Sequence, residues 1–256
     1  MTIGAQYRFE HGNAERLFHV SKAVLQERIS RESHIASQSY HVPVIAIAPP
    51  YSEAHVRSTS MSSTPRQMEV IRCLLVLMSY ATWERAGLIQ EAFQIQAQLV
   101  QHLRDIGLAE TLSDQHVSRL DWYEWADLES VRRIKLISFC FIHIHSIAYN
   151  AYPSLRCSEI HLRLPCSTRE WTANNAAEWE AAQRDRGPQQ LFFQDALTLL
   201  LQKSKSAIPL DPIPAPLGNY ILLHGLLQRI HIVSELSLPD GNHSATLPTE
   251  ELNKIE

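Results

Sequence analysis

Apolar positions recur along most of this chain with the spacing of one helix face, and the recurrence breaks at proline, glycine and serine clusters. The first run predicts a helix over residues 13–29. Leu17, Val20, Val24 and Leu25 fall on one stripe of it, with Phe18 and Ile29 at the margin. Residues 31–64 are rich in serine, proline and histidine and read as a long loop with one β-prone run at 42–48. The pattern returns at Thr64-Pro65-Arg66-Gln67, which supplies an N-cap, a proline at the first helical position and a glutamine at the third. Met68, Ile71, Leu74, Leu75, Met78 and Thr82 follow at helical spacing as far as Gly87. A second helix then carries Ala92, Ile95, Leu99 and Leu103 and ends near Gly107. Together the two make a helical hairpin whose inner face needs a partner.

Asp121-Trp122-Tyr123-Glu124 is a capping box, and the helix behind it runs over 122–149. Its second half is apolar on nearly every side, which predicts a central position, and Pro153 ends it. Residues 154–166 read as extended, because Ile160, Leu162 and Leu164 alternate with polar residues. Ser167-Thr168-Arg169-Glu170 caps a further helix holding Trp171 and Trp179, stopped by Gly187 and Pro188. Helices over 189–203 and 217–236 follow, separated by a proline-rich connector. The tail, 237–256, is polar and reads as disordered. The fold expected is all-α, a bundle of about seven helices with one long loop near 31–64.

Composition narrows the function. Net charge is -4, without the basic excess of a domain that grips nucleic-acid phosphates. Arg132, Arg133 and Lys135 form one tight basic group, which reads as a solvated helix face or local ion pairs rather than a phosphate site. None of Cys73, Cys140, Cys157 and Cys166 lies in a C-x-x-C pair, so no zinc finger or disulfide framework is expected. Cys73 and Cys140 sit in apolar runs, where thiols serve as core filler. The start of the chain lacks the plan of a signal peptide, and the longest purely apolar stretch, 73–78, is far too short to cross a bilayer.

No catalytic constellation is legible, so no enzyme is expected. The glycine-rich nucleotide motifs, the G-x-S-x-G elbow and H-E-x-x-H are all missing from the sequence. His143 and His145, two apart on one helix, point to opposite sides and cannot share a metal. His224 and Gln228 share a face, with His231 one turn on, but no carboxylate or thiolate joins them. Metal ligands are therefore expected to be none. Trp122 and Trp125 stand on one face of a helix start and read first as core packing. With Phe141 they are also the place to look for an effector pocket. Glu129 is spaced to pair with Arg132 or Arg133, with Glu159 as a further partner, and the pair reads as structural.

One block resembles a known family. It runs W-Y-E-W-A-D-L-E-S-V-R-R, then an apolar helix ending F-C-F-I-H, then N-A-Y-P-S-L, then S-E-I-H-L-R-L-P-C-S-T-R-E-W. It is similar to the fungal-specific transcription factor domain, or middle homology region. The matching positions are Trp125, Glu129, Arg132, Arg133, Pro153, Glu159, Ile160, Leu162, Leu164, Pro165, Cys166 and Trp171. The hairpin before the block and the helix at 217–233 extend the resemblance over 65–236, with 13–30 fitting as well. His143 stands about where the family often has aspartate.

The resemblance implies a helical regulatory domain over 1–236, nuclear, that regulates transcription by RNA polymerase II. It implies restraint or relay of activation, dimerisation, and a small effector or partner shifting the helical core between states. Co-regulators or the transcription machinery are the partners it implies, and no membrane. Zinc belongs to the module that precedes this domain in relatives. That module is absent from this chain, so the cofactor expected here is none, and DNA is contacted only if the module is supplied elsewhere. The competing reading is a helical protein–protein interaction scaffold unrelated to transcription.

Overall fold

The computed structural model describes residues 2–39, 63–84, 86–110, 120–185, 189–202 and 210–237. Nine α-helices lie among the described residues, which form two compact units, 1–106 and 107–256. The all-α expectation holds. The extended stretches among the described residues meet only in isolated bridges.

In the first unit, α1 (Thr2–Tyr7) and α2 (His11–Ser39) precede the hairpin of α3 (Ser63–Glu84) and α4 (Ile89–Asp105). The stripe of α2 differs from the one its aliphatic residues predict. Ala14, Phe18 and Leu25 are buried, whereas Val20 and Val24 are each 61% exposed. The Phe18 ring decides this, packing on Tyr80 of α3 at 5.2 Å. Two residues turn a helix by about 200°, so burying Phe18 turns Val20 outward. Residues 31–39 are helical rather than loop, a stretch holding neither glycine nor proline. The rest of the expected loop, its β-prone run and the polar tail beyond Ser237 lie outside the described residues.

The hairpin forms where expected. Met68, Ile71, Leu74 and Met78 on α3 and Ala92, Ile95, Leu99 and Leu103 on α4 are all buried. A short 3-10 turn, Ala86–Leu88, joins the two helices around Gly87. Past the end of α4, Gly107 takes φ +79°, a backbone that side chains resist.

The second unit is organised on α5 (Trp122–Ala148) and α9 (Pro216–Ser237), which pack on each other. Asp121 accepts from the Glu124 amide at 2.8 Å while Glu124 accepts from the Asp121 amide at 3.2 Å, completing the expected capping box. The helix ends at Ala148, ahead of Pro153, with Asn150 at φ 47° in the turn between them. After it, residues 160–166 run extended between two neighbours. The His161 amide donates to the Leu108 carbonyl at 2.7 Å on one side. The Leu164 amide donates to the Leu191 carbonyl, and the Phe193 amide to the Leu162 carbonyl, each at 2.9 Å on the other. These bonds hold the segment in place while Ile160, Leu162 and Leu164 are buried.

The expected helix from Ser167 is instead two. The capping box forms, but α6 (Thr168–Trp171) stops after four residues. A fresh start follows at α7 (Ala176–Arg184), where the Asn175 side chain accepts from the Glu178 amide at 2.9 Å. Trp171 and Trp179 thus sit on different helices. The helix expected over 189–203 is shorter, α8 (Phe193–Leu201), because Leu191 and Phe192 are held in the extended pairing. Where α8 meets α9, a Cβ on Gly225 would stand 2.8 Å from Cζ of the fully buried Phe193. Alanine there gains roughly 1 kcal/mol of helix propensity. Forcing the packed ring aside costs about 1–3 kcal/mol. The net expectation for Gly225→Ala is a loss of about 1 kcal/mol, read from the urea midpoint of the purified chain.

Candidate functional site

Glu129 is wholly buried, one turn past Trp125 on α5. Its neighbours explain how a carboxylate survives there. Arg132, three residues on, donates through Nη1 to Oε2. Arg133, four residues on, donates through Nε to Oε1 at 2.8 Å. The Cys166 amide donates to the same Oε1 at 3.0 Å. One side chain therefore pairs with two guanidinium groups of its own helix and anchors the extended segment to it.

The network extends through Glu110. Its Oε1 accepts from Arg132 Nε at 2.7 Å and from the Arg163 amide at 3.0 Å, and Arg163 Nε stands 3.6 Å from its Oε2. Arg163 also donates to the Gln190 carbonyl at 3.0 Å and lies over the Phe192 ring at 4.2 Å. Arg133 lies over the Trp171 ring at 4.1 Å and reaches the Cys166 carbonyl at 3.3 Å. Burial pulls the Arg132 pKa down, but Glu129 and Glu110 outweigh it and leave that pKa raised. Burial, then Glu129, pushes the Cys166 thiol up, so it stays protonated and unreactive.

Beside this network lies a cavity of about 160 Å³. Trp125, Leu128, Val131 and Leu164 give it apolar walls, and Lys135 and Gln190 are the polar side chains of interest on it. Lys135 is only 8% exposed. Burial lowers its pKa, against the opposing pull of Glu110. The basic group of 132–135 is therefore no solvated face. Its two arginines make local ion pairs, and its lysine opens on a cavity.

The structure brings together Trp125, Glu129, Arg132, Arg133, Cys166 and Trp171, with Pro165 buried beside Cys166. Trp125 and Cys166 share one apolar cluster with Trp179, whose ring is 5.3 Å from that of Trp125. The Glu159 carboxylate accepts from the Arg156 amide at 2.9 Å instead, and Glu110 takes the place beside Arg132 expected for it. Of the effector-pocket residues, Trp125 lines the cavity and Trp122 packs on the cluster around it. Phe141 lies sixteen residues further along α5, about 24 Å of helix away, and is not on that wall. Sequence reasoning did not find Glu110, Arg163 or Gln190. Each meets the site through chain-distant contacts that leave no local spacing signal.

A second polar cluster lies in the same unit. His143 and His145, on opposite sides of α5, are both fully buried. His143 Nδ1 stands 3.1 Å from Nδ1 of His224 on α9. Gln228, one turn on, accepts from the Cys157 amide at 2.6 Å and donates to the Leu155 carbonyl at 3.0 Å. Burial, then His224 and His231, lowers the His143 pKa to about 4. Among the described residues no group of three or more histidines, cysteines or carboxylates is placed to hold a metal ion.

The pattern described as "Fungal specific transcription factor domain" matches residues 1–253. The chain belongs to this family. The fungal-specific transcription factor domain is a family of transcription regulators rather than of enzymes, and it implies a nuclear role. One relative is "Zinc finger protein zas1" of Schizosaccharomyces pombe, 27% identical over 106 residues, which are 41% of this chain and 12% of that protein. The chain therefore matches a small part of that relative's length. No solved structure matches. Among the described residues no helix of this domain is long and apolar enough to cross a membrane.

Proposed function

We propose that this chain is the regulatory domain of a nuclear fungal factor that controls transcription by RNA polymerase II. The observation that carries the reading is the family match over 1–253. The zinc-finger relative supports placing DNA contact in a zinc module outside these 256 residues. The four cysteines of the chain are not spaced as a zinc finger needs them, so zinc is assigned to that module and no cofactor to this domain. The buried ion network suits a regulatory core, because it ties α5 to the segment at 160–166 through charges that have a stable arrangement only when all partners are in place.

Partners are co-regulators and a second copy of the chain. Tyr220, Leu223, Leu227 and Ile230 form an exposed apolar stripe along α9, which supports a protein partner. The same stripe is what favours the alternative, an interaction scaffold with no part in transcription. Fusing the chain to a heterologous DNA-binding domain separates the two. A regulatory domain is expected to change transcription of a matched reporter several-fold, and a tagged copy to accumulate in nuclei. An inert fusion and a cytoplasmic tag would leave the scaffold reading standing. Sedimentation of the purified chain over a concentration series reads the homodimer.

A further inference from the structure

Among the described residues, Lys135 is the one charged group on the cavity wall that no ion pair or hydrogen bond answers. Glu110, Glu129 and Glu170 bring three negative charges to the wall, and Arg132, Lys135 and Arg163 three positive ones. Arg133 behind the wall adds a fourth positive charge by pairing with Glu129. Glu129 already serves Arg132 and Arg133, and Glu110 serves Arg132 and Arg163. Glu170 caps α6, accepting from the Ser167 amide at 3.1 Å and its hydroxyl at 2.8 Å. Lys135 is left out of these pairings although it is only 8% exposed. Glu110 attracts the ammonium only from beyond ion-pair distance, and a cation kept at the wall of a cavity is placed for an anionic group that the cavity receives.

The rest of the wall says what that is. Its bulk is apolar, from Trp125, Leu128, Val131 and Leu164, which excludes a bare inorganic anion as the best fit. Its volume, about 160 Å³, is close to that of an apolar protein cavity known to hold benzene, about 150 Å³. Gln190 also borders this space, with its Oε1 turned away from it and buried.

We propose that this cavity binds a small aromatic monocarboxylate, its carboxylate on Lys135 and its ring against Trp125, Leu128 and Val131. The site stands on geometry alone; only its use as an effector site rests on the regulatory reading above. Burial lowers the Lys135 pKa against the pull of Glu110, and a carboxylate bound beside the ammonium would raise it.

Calorimetry of the full chain with benzoate, benzamide and acetate tests the site. Benzoate is expected to bind with a Kd of about millimolar or tighter. Benzamide, with the ring but no charge, and acetate, with the charge but no ring, are each expected to bind at least tenfold more weakly. Lys135→Met is expected to lose benzoate binding by at least tenfold and to keep or raise the Tm, because no ion pair or hydrogen bond is lost with the ammonium. Lys135→Arg is expected to keep binding. Absence of benzoate binding overturns the proposal, as does equal binding of either control or undiminished binding to Lys135→Met. A sharply lowered Tm in Lys135→Met would show that the ammonium has a structural partner and overturns it too. These outcomes are read on purified protein, so a chain that binds benzoate yet fails in the reporter assay keeps the site and loses only the regulatory reading.

Discussion

Glu129→Gln is expected to destabilise the second unit by roughly 3–5 kcal/mol, the usual cost of breaking a buried ion pair by removing one partner. The substitution is nearly isosteric, so no cavity adds to the effect. What it removes is the charge that holds two guanidinium groups, whose own side chains are only 16% and 13% exposed. Arg132 keeps Glu110 as a partner, at 2.7 Å. Arg133 keeps only a carbonyl, a thiol and the Trp171 face. Most of the loss should therefore trace to Arg133, and a double-mutant cycle can show it. Adding Arg133→Met to Glu129→Gln removes the stranded cation and should recover a large part of the stability, whereas adding Arg132→Met should recover less. Urea titrations followed at the tryptophans read each term. A loss below about 1 kcal/mol for Glu129→Gln would mean that the pair behaves as a surface ion pair and does not clamp the segment.

That network also shows where the sequence was informative. The pairing of Glu129 with Arg132 and Arg133 is a matter of three- and four-residue spacing on one helix, which can be read without coordinates. The capping boxes at Asp121 and Ser167 are legible for the same reason, since each is closed by a residue three positions on. The end of α6 was not legible. Asn175 is one asparagine of an adjacent pair, and only its bond to the Glu178 amide distinguishes a new helix start from a continuing helix. Phe18 misled the reading of α2, since the buried stripe is set by what Tyr80 offers on another helix rather than by the density of aliphatic residues. Of the two thiols in apolar runs, Cys140 is buried but Cys73 is exposed. Cys73 falls beside Arg72 and Val76 on the outward stripe of α3, so an apolar run on an amphipathic helix still has a wet side. Lys135 looked like the third member of a basic cluster, and nothing in its immediate sequence separates a buried ammonium from a solvated one.

The buried histidine pair carries the second large expectation. Stability of the second unit should hold from pH 8 to about 6.5 and then fall, by about 2 kcal/mol at pH 5 and on the order of 3 kcal/mol at pH 4. The direction follows from His143, whose folded pKa of about 4 lies below its ordinary 6.5. Above 6.5 both the folded and the unfolded ring are neutral, and the protonation difference contributes nothing. Between 6.5 and 4 the unfolded chain takes up a proton that the folded chain refuses, so falling pH favours unfolding. Below 4 the folded ring is also charged and this contribution stops growing. The geometry gives the refusal a cause. One ring of the 3.1 Å pair donates and the other accepts, which two charged rings cannot do. Protonation would also place an N–H at His143 Nε2, which is buried without an acceptor. Burial lowers the pKa of His145 and His224 in the same direction, so they add to the slope rather than cancel it. Ordinary carboxylates titrate near pH 4, so the decline between 6.5 and 5 belongs to histidine. Replacing both rings, His143→Leu with His224→Leu, removes donor and acceptor together and should cost little at pH 7.5 while flattening the decline. Urea midpoints at pH 7.5, 6.0 and 5.0 for the two proteins decide it: an unchanged midpoint in the parent chain, or the same slope in the double variant, would place the acid sensitivity elsewhere.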